Sequence, residues 1–221
     1  IDIMLAIDAS GSMAAMDFKL DGEAVDRLVV VKKVVADFIR QQKGDRLGMV
    51  VFGEEAYTQC PLTLDYDVLA QLLDHVEIGI AGDGTAIGDG LALAVKRLKD
   101  LPGKSRVVIL LTDGRNNAGS VSPEKAAEIA KTFGIKVYTI GIGTKGPVPF
   151  PQPGIFGSRL IYVNLDMDEE TLEKIAETTG GRYFYATDTK KLEEIYKEIG
   201  QLEKTKAKVK HYEIYEEWYG Y

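Results

Sequence analysis

Cysteine is almost missing: Cys60 is the only one in 221 residues. The chain can form no internal disulfide, and a single thiol does not distinguish one redox compartment from another. Histidine is nearly as scarce. His75 falls in an expected surface helix and His211 near the C-terminus, so neither is an evident general base. No run approaches the ~20 apolar residues that a membrane-spanning helix needs. Bases are outnumbered by acids, 27 to 34, for a net charge of −7. Phosphate contacts need clustered Lys and Arg, which argues against nucleic acid as the main partner. There is also no initiator methionine and no signal peptide, and the chain opens inside an apolar run. The expectation is a domain excised from a longer protein.

What is present is the composition of a folded protein, 45% apolar and 28% charged. Residues 1–7 form a nearly unbroken apolar run, the signature of a strand covered on both faces. It ends in Asp8-x-Ser10-x-Ser12. A carboxylate and two hydroxyls on alternate residues can converge on one hard cation, and oxygen ligands suit Mg²⁺, Mn²⁺ or Ca²⁺ better than zinc. The same residues are also ordinary turn formers.

A second such tip lies further on. Ser105 to Thr112 is another apolar run without alternation, and it ends in Thr112-Asp113-Gly114. Asp113 therefore has the position that Asp8 has. Between the two, a glycine-rich loop from Gly79 to Gly88 leads into a helix with Ile87, Leu91, Val95 and Leu98 on one face. Thr85 at that boundary reads either as an N-cap or as a third hydroxyl ligand.

The remaining elements alternate. Strands are expected at Arg46–Phe52, Glu55–Pro61, Ile135–Ile142 and Arg182–Ala186. Helices are expected at Glu23–Gln42, from Asp65, at Ser122–Phe133, from Asp168, and from Asp188 to about Glu203. Pro61 confines its strand to an edge or ends it. This order predicts an α/β fold: a doubly wound, mostly parallel sheet with one antiparallel edge strand and helices on both faces. Right-handed crossovers then bring Asp8, Ser10, Ser12, Thr85 and Asp113 to the single edge where ligands bind in such sheets.

Two segments stand apart. Thr144 to Tyr162 holds Pro147, Pro149, Pro151 and Pro153, with Phe150 and Phe156. It is too long for a routine connection and is read as one wall of a partner site or as a self-packed excursion. Residues 204–221 form an aromatic tail after a domain of residues 1–203. The tail is read as a stalk towards a membrane anchor, since Trp and Tyr favour bilayer interfaces, or as an arm packed on the domain or on a neighbouring copy.

Taken together, Asp8-x-Ser10-x-Ser12, Thr85 in its glycine-rich loop and Thr112-Asp113-Gly114 resemble the metal-ion-dependent adhesion site of von Willebrand factor A domains. Tyr57–Thr63, Asp83–Gly88 and Gly180–Phe184 resemble the bacterial membrane-anchored BatA/BatB aerotolerance type. The resemblance implies a non-enzymatic adhesion or scaffold domain. Ser10 and Ser12 would bind the metal directly, and Thr85 directly or through water. Asp8 and Asp113 would act mainly through waters and hydrogen bonds to the hydroxyls. Mg²⁺ is the first expectation, with Mn²⁺ or Ca²⁺ as alternatives. The ligand would be an Asp or Glu carboxylate of a partner protein. Other envelope proteins and a MoxR-type AAA+ ATPase are implied candidates, and the parent protein would sit in the cell membrane with this domain on the extracytoplasmic side.

The rival readings are a metal-dependent hydrolase or phosphatase-like enzyme and a purely structural metal. For the first, an open metal position can activate water. Yet an aspartyl-phosphate site usually has a second Asp where Ser10 stands, and Ser10 lacks the glycine two residues earlier that a nucleophile elbow carries.

Overall fold

The computed structural model describes residues 1–102, 105–154 and 157–218, with side chains through Lys204 outside those gaps. In chain order the elements are β1 (Asp2–Asp8), a 3-10 turn (Gly11–Ala14), β2 (Phe18–Leu20), β3 (Glu23–Val25), α1 (Arg27–Arg40), β4 (Arg46–Phe52), β5 (Ala56–Thr63), α2 (Tyr66–Asp74), α3 (Ile87–Leu98), β6 (Arg106–Thr112), α4 (Pro123–Thr132), β7 (Lys136–Ile142), β8 (Pro147–Gly154), β9 (Gly157–Asn164), α5 (Glu169–Thr179), β10 (Tyr183–Ala186) and α6 (Thr189–Trp218).

Six strands form the main sheet in the order β10-β7-β6-β1-β4-β5. All neighbours run parallel except β5, which returns antiparallel along β4 as the edge strand. Every residue of β1 is buried, and β4 and β6 are buried after their first residue. A strand covered on both faces needs no polar alternation, which is why these segments read as continuous apolar runs. One core joins that sheet to α1, α2 and α6 through residues such as Val31, Leu69 and Ile195. The other joins it to α3, α4 and α5 through Leu91, Ala127 and Ile175. The α/β architecture is the expected one.

The helix expected from Glu23 starts later. Residues 18–25 form the hairpin β2–β3, turned by Asp21 and Gly22 with φ of 51° and 87°. Asp26 then caps α1 by accepting from the Val29 N–H at 2.8 Å. Pro61 does not end its strand, which runs on to Thr63 along the open edge with a register irregularity. The Pro-rich segment is a second hairpin, β8–β9, outside the main sheet. Phe156 lies outside the described residues.

The two poles of the sheet differ in character. At the end where strands begin, the Ile1 ammonium pairs with Asp45 at 2.8 Å. Glu203 of α6 there accepts from Ser105, Lys136 and Tyr138. α6 therefore descends the full height of the sheet from β10 before leaving that pole. Its backbone stays helical from Thr189 to Trp218, so no break falls at residue 204. The aromatic side chains of the tail lie outside the described residues.

Candidate metal centre

The opposite pole carries the strand ends. β1 and β6 are adjacent and parallel, with Ile7 beside Leu111, so Asp8 and Asp113 emerge side by side. Asp8 is fully buried. One of its oxygens accepts from the Ser10 N–H at 2.8 Å and the other from the Thr112 hydroxyl at 2.5 Å. Ser10 Oγ lies 3.0 Å from Ser12 Oγ, and Ser12 Oγ donates to Asp113 Oδ1 at 2.5 Å. The two sequence motifs, 101 positions apart, thus meet through one hydroxyl.

Thr85 joins them from the glycine-rich loop. A Cβ placed on Gly114 would lie 3.2 Å from Thr85 Oγ1 and 3.8 Å from Ser12 Oγ, so both hydroxyls border the same small space. Thr85 is not the N-cap of α3. Ala86 holds that position, with no side-chain cap bond. The Thr85 loop is clamped from the far side instead: Asn117 Oδ1 accepts from the Thr85 N–H at 2.8 Å, and the Asn117 N–H donates to the Thr85 carbonyl at 3.0 Å. Asn116 Oδ1 accepts from the Gly88 N–H at 3.2 Å. Gly11 N–H reaches the Asp83 carbonyl at 3.3 Å, tying the serine loop to the glycine-rich loop.

Arg27 is the residue that sequence reasoning missed. Its guanidinium is buried, donates to Asp113 Oδ2 at 2.7 Å, and holds Asp17 in a two-point pair at 2.6 and 2.8 Å. Asp17 in turn accepts from the Thr144 N–H and hydroxyl. The available signal was a cation in the first turn of α1, where the helix dipole disfavours positive charge. Beside it, a cleft of about 400 Å³ opens along Arg27, Asp113, Arg115, Thr144, Lys145 and Tyr185.

The electrostatics are unbalanced. Burial, then the neighbouring Asp113 charge, pushes Asp8 up to about 7. Burial raises Asp113 too, against the pull of Arg27. Asp17 is held below the usual carboxylate range: burial acts to raise it, and the bonds and charge of Arg27 outweigh that. One guanidinium bonds two carboxylates, Asp17 and Asp113, while Asp8 is held by Ser10 and Thr112, so the pole is rich in acids and lined with hydroxyls. That donor set fits a hard divalent cation. Among the described residues no group of three or more His, Cys, Asp or Glu is placed to hold a metal, so any ion here would depend on hydroxyl oxygens.

Comparison with known proteins agrees with this fold. A family model described as von Willebrand factor type A domain matches residues 2–198. BatB from Bacteroides thetaiotaomicron superposes with a TM-score of 0.77 at 29% identity, over 92% of this chain and 99% of that one. An aerotolerance-related membrane protein from Bacteroides fragilis gives 0.76 at 28% identity, over 91% and 97%. A proximal thread matrix protein of the mussel byssus, solved with zinc in its MIDAS motif, gives 0.65 at 26% identity, over 91% of this chain and 45% of that one. In sequence, an uncharacterised protein of Borreliella burgdorferi is 29% identical over 95% of this chain. The chain spans about 60% of the length of the first curated relatives it matches.

Proposed function

The chain belongs to the von Willebrand factor type A domain family, and from that premise we propose that it binds a divalent cation at the Asp8–Asp113 pole and, through it, an acidic residue of a partner protein. Ser10, Ser12 and Thr85 supply hydroxyl oxygens. Asp8 and Asp113 orient those hydroxyls and neutralise the ion from behind. The observation that carries the reading is the Ser12 hydroxyl, which bridges Ser10 to Asp113 and so gathers ligands from two distant loops at one point.

A bound cation would supply an electrophilic centre that neutral hydroxyls quench only in part, which suits capture of an external carboxylate. Arg27 holds Asp113 in place and opposes the burial that raises it, and the Asn117 clamp sets where the Thr85 loop stands. The adjoining cleft sets Arg115 and Lys145 beside Asp166 and Glu169, with Lys145 paired to Glu169 at 3.3 Å, so the attraction for a partner's carboxylate would rest on the bound cation. Mg²⁺ is the first candidate, Mn²⁺ and Ca²⁺ the next. The mussel protein holds zinc, so zinc belongs in the same titration.

A catalytic role has less support. His75 bonds the Gln71 carbonyl on exposed α2, and among the described residues no histidine stands at this pole. The parent protein is proposed to be membrane-anchored, since a structural neighbour is described as a membrane protein. Among the described residues no helix is long and apolar enough to cross a membrane.

Calorimetric titration with each ion tests the reading, with and without acetate as a carboxylate probe. Wild type should bind, and folded Ser10→Ala and Asp8→Asn variants should not. Undiminished binding by both variants, or no binding by wild type even with acetate, would overturn it.

A further inference from the structure

The hairpin β8–β9 has two outer edges of opposite kind. In an antiparallel pair, alternate residues point both backbone groups at the partner strand and the rest point both outward. The Pro149 carbonyl accepts from the Met16 N–H at 2.8 Å, so Pro149 is an outward residue. Pro147, Pro151 and Pro153 share its phase. The free edge of β8 therefore has no N–H to offer at any of these positions, and one of its carbonyls is used to seat the hairpin on the serine loop. An edge closed by proline resists strand addition.

β9 carries no such protection. Its outward residues are those opposite the prolines: Ser158, Leu160, Tyr162 and Asn164. Each has a free N–H, and among the described residues none of these amides has a backbone partner. Leu160 and Tyr162 also expose 57% and 73% of their surface on one face of the hairpin. An open edge whose outward residues carry no charge, two of them exposed apolar side chains, is a template for another strand.

We propose that β9 pairs antiparallel with β9 of a second copy of this chain, about a twofold axis at Ile161. The register accommodates a second copy with every outward residue paired and no like charges opposed. Centred on Ile161, Leu160 meets the partner's Tyr162 and Ser158 meets the partner's Asn164. All four outward residues are used, giving about eight main-chain bonds at two per bonded pair. Arg159, the only charged residue of β9, falls opposite the partner's Val163, so no like charges face each other. Shifting the axis to Leu160 or Tyr162 leaves one outward residue unpaired. The result is a self-complementary, isologous contact that joins two hairpins into a four-stranded sheet with proline-closed rims. It is independent of the metal reading.

Sedimentation velocity of the full chain across a wide concentration range, with EDTA present, tests the pairing. Wild type should show a reversible monomer–dimer equilibrium. Leu160→Lys with Tyr162→Lys places like charges opposite each other and should weaken it at least roughly tenfold, about 1.4 kcal/mol. Leu160→Lys with Tyr162→Glu places opposite charges together in this register alone and should restore it. Leu160→Pro adds a test of the backbone, since an outward proline spares the bonds within the hairpin. Amide exchange should slow with concentration at Ser158, Leu160, Tyr162 and Asn164. A wild type that stays monomeric throughout overturns the proposal. So does a dimer indifferent to the double lysine variant, or one not restored by the charge pair.

Discussion

Arg27 Nη1 lies 2.7 Å from Asp113 Oδ2, and both side chains are buried. This pair sets the behaviour of the pole before any ion arrives. Removing one partner of a buried pair strands the other charge, at a cost of about 3–5 kcal/mol. Arg27→Met should therefore lower the metal-free stability by about that amount in denaturant unfolding. Saturating Mg²⁺ should recover part of the loss in the variant by supplying positive charge to Asp113. Equal losses with and without metal would show that Arg27 serves only packing.

Asp8 gives the domain a pH dependence with a definite sign. Its folded value, pushed to about 7, lies above the unfolded value of 3.8. The folded state then binds the proton more tightly. In EDTA, stability should fall as pH rises from about 4 to about 7 and level off above that, with a slope of at most about 1.4 kcal/mol per pH unit. Asp8→Asn should flatten the slope, as measured by urea unfolding at several pH values. Metal affinity should move the other way, strengthening up to about pH 7 as the competing proton leaves.

Ser12→Ala removes the hydroxyl that links the two motifs. Metal affinity should drop by about 10–100-fold, with a stability loss of about 1.5–3 kcal/mol as the buried Asp113 oxygen loses its donor. Calorimetry and thermal unfolding of the same sample separate the two effects.

Gly114→Ala is a subtler probe. The added carbon would press on Thr85 Oγ1 at 3.2 Å, a contact that shifts the hydroxyl without opening the core. Weaker metal binding in a variant that unfolds like wild type is the expected outcome.

At the other pole, Glu203 is held below its ordinary value. Burial acts to raise it, but bonds from Lys136 and Tyr138 and the Lys136 charge prevail. A depressed acid stabilises the fold above its unfolded pKa of 4.5 and loses that contribution as pH falls through the folded value. Glu203→Gln should lower stability at pH 7 and make acid unfolding less steep below about pH 4.5, as followed by circular dichroism.

The strands and their tips were legible because β1 and β6 each write a buried apolar run that stops at an acid. The sequence pattern left the strand order open; it is the placing of β1 beside β6 that makes Asp8 and Asp113 neighbours. The support around them was not legible. Arg27, Asp17 and Asn117 lie on separate loops and helix ends, and no periodicity marks a contact 86 positions apart. Thr85 stayed ambiguous because a cap and a ligand use the same hydroxyl. The hairpin was missed because four prolines argue against a strand, although their spacing of two residues was itself the strand period.

The placement of Ile1 and Glu203 at one pole and the hydroxyls at the other has a mechanical consequence. A pull between the hydroxyl pole and the start of β1 would run along the strand axis. It loads the bonds from β1 to β4 and β6 all at once, in shear, instead of peeling them one by one. Tension applied between the two poles would therefore pass through β1 to the hydroxyl pole without first unzipping the sheet.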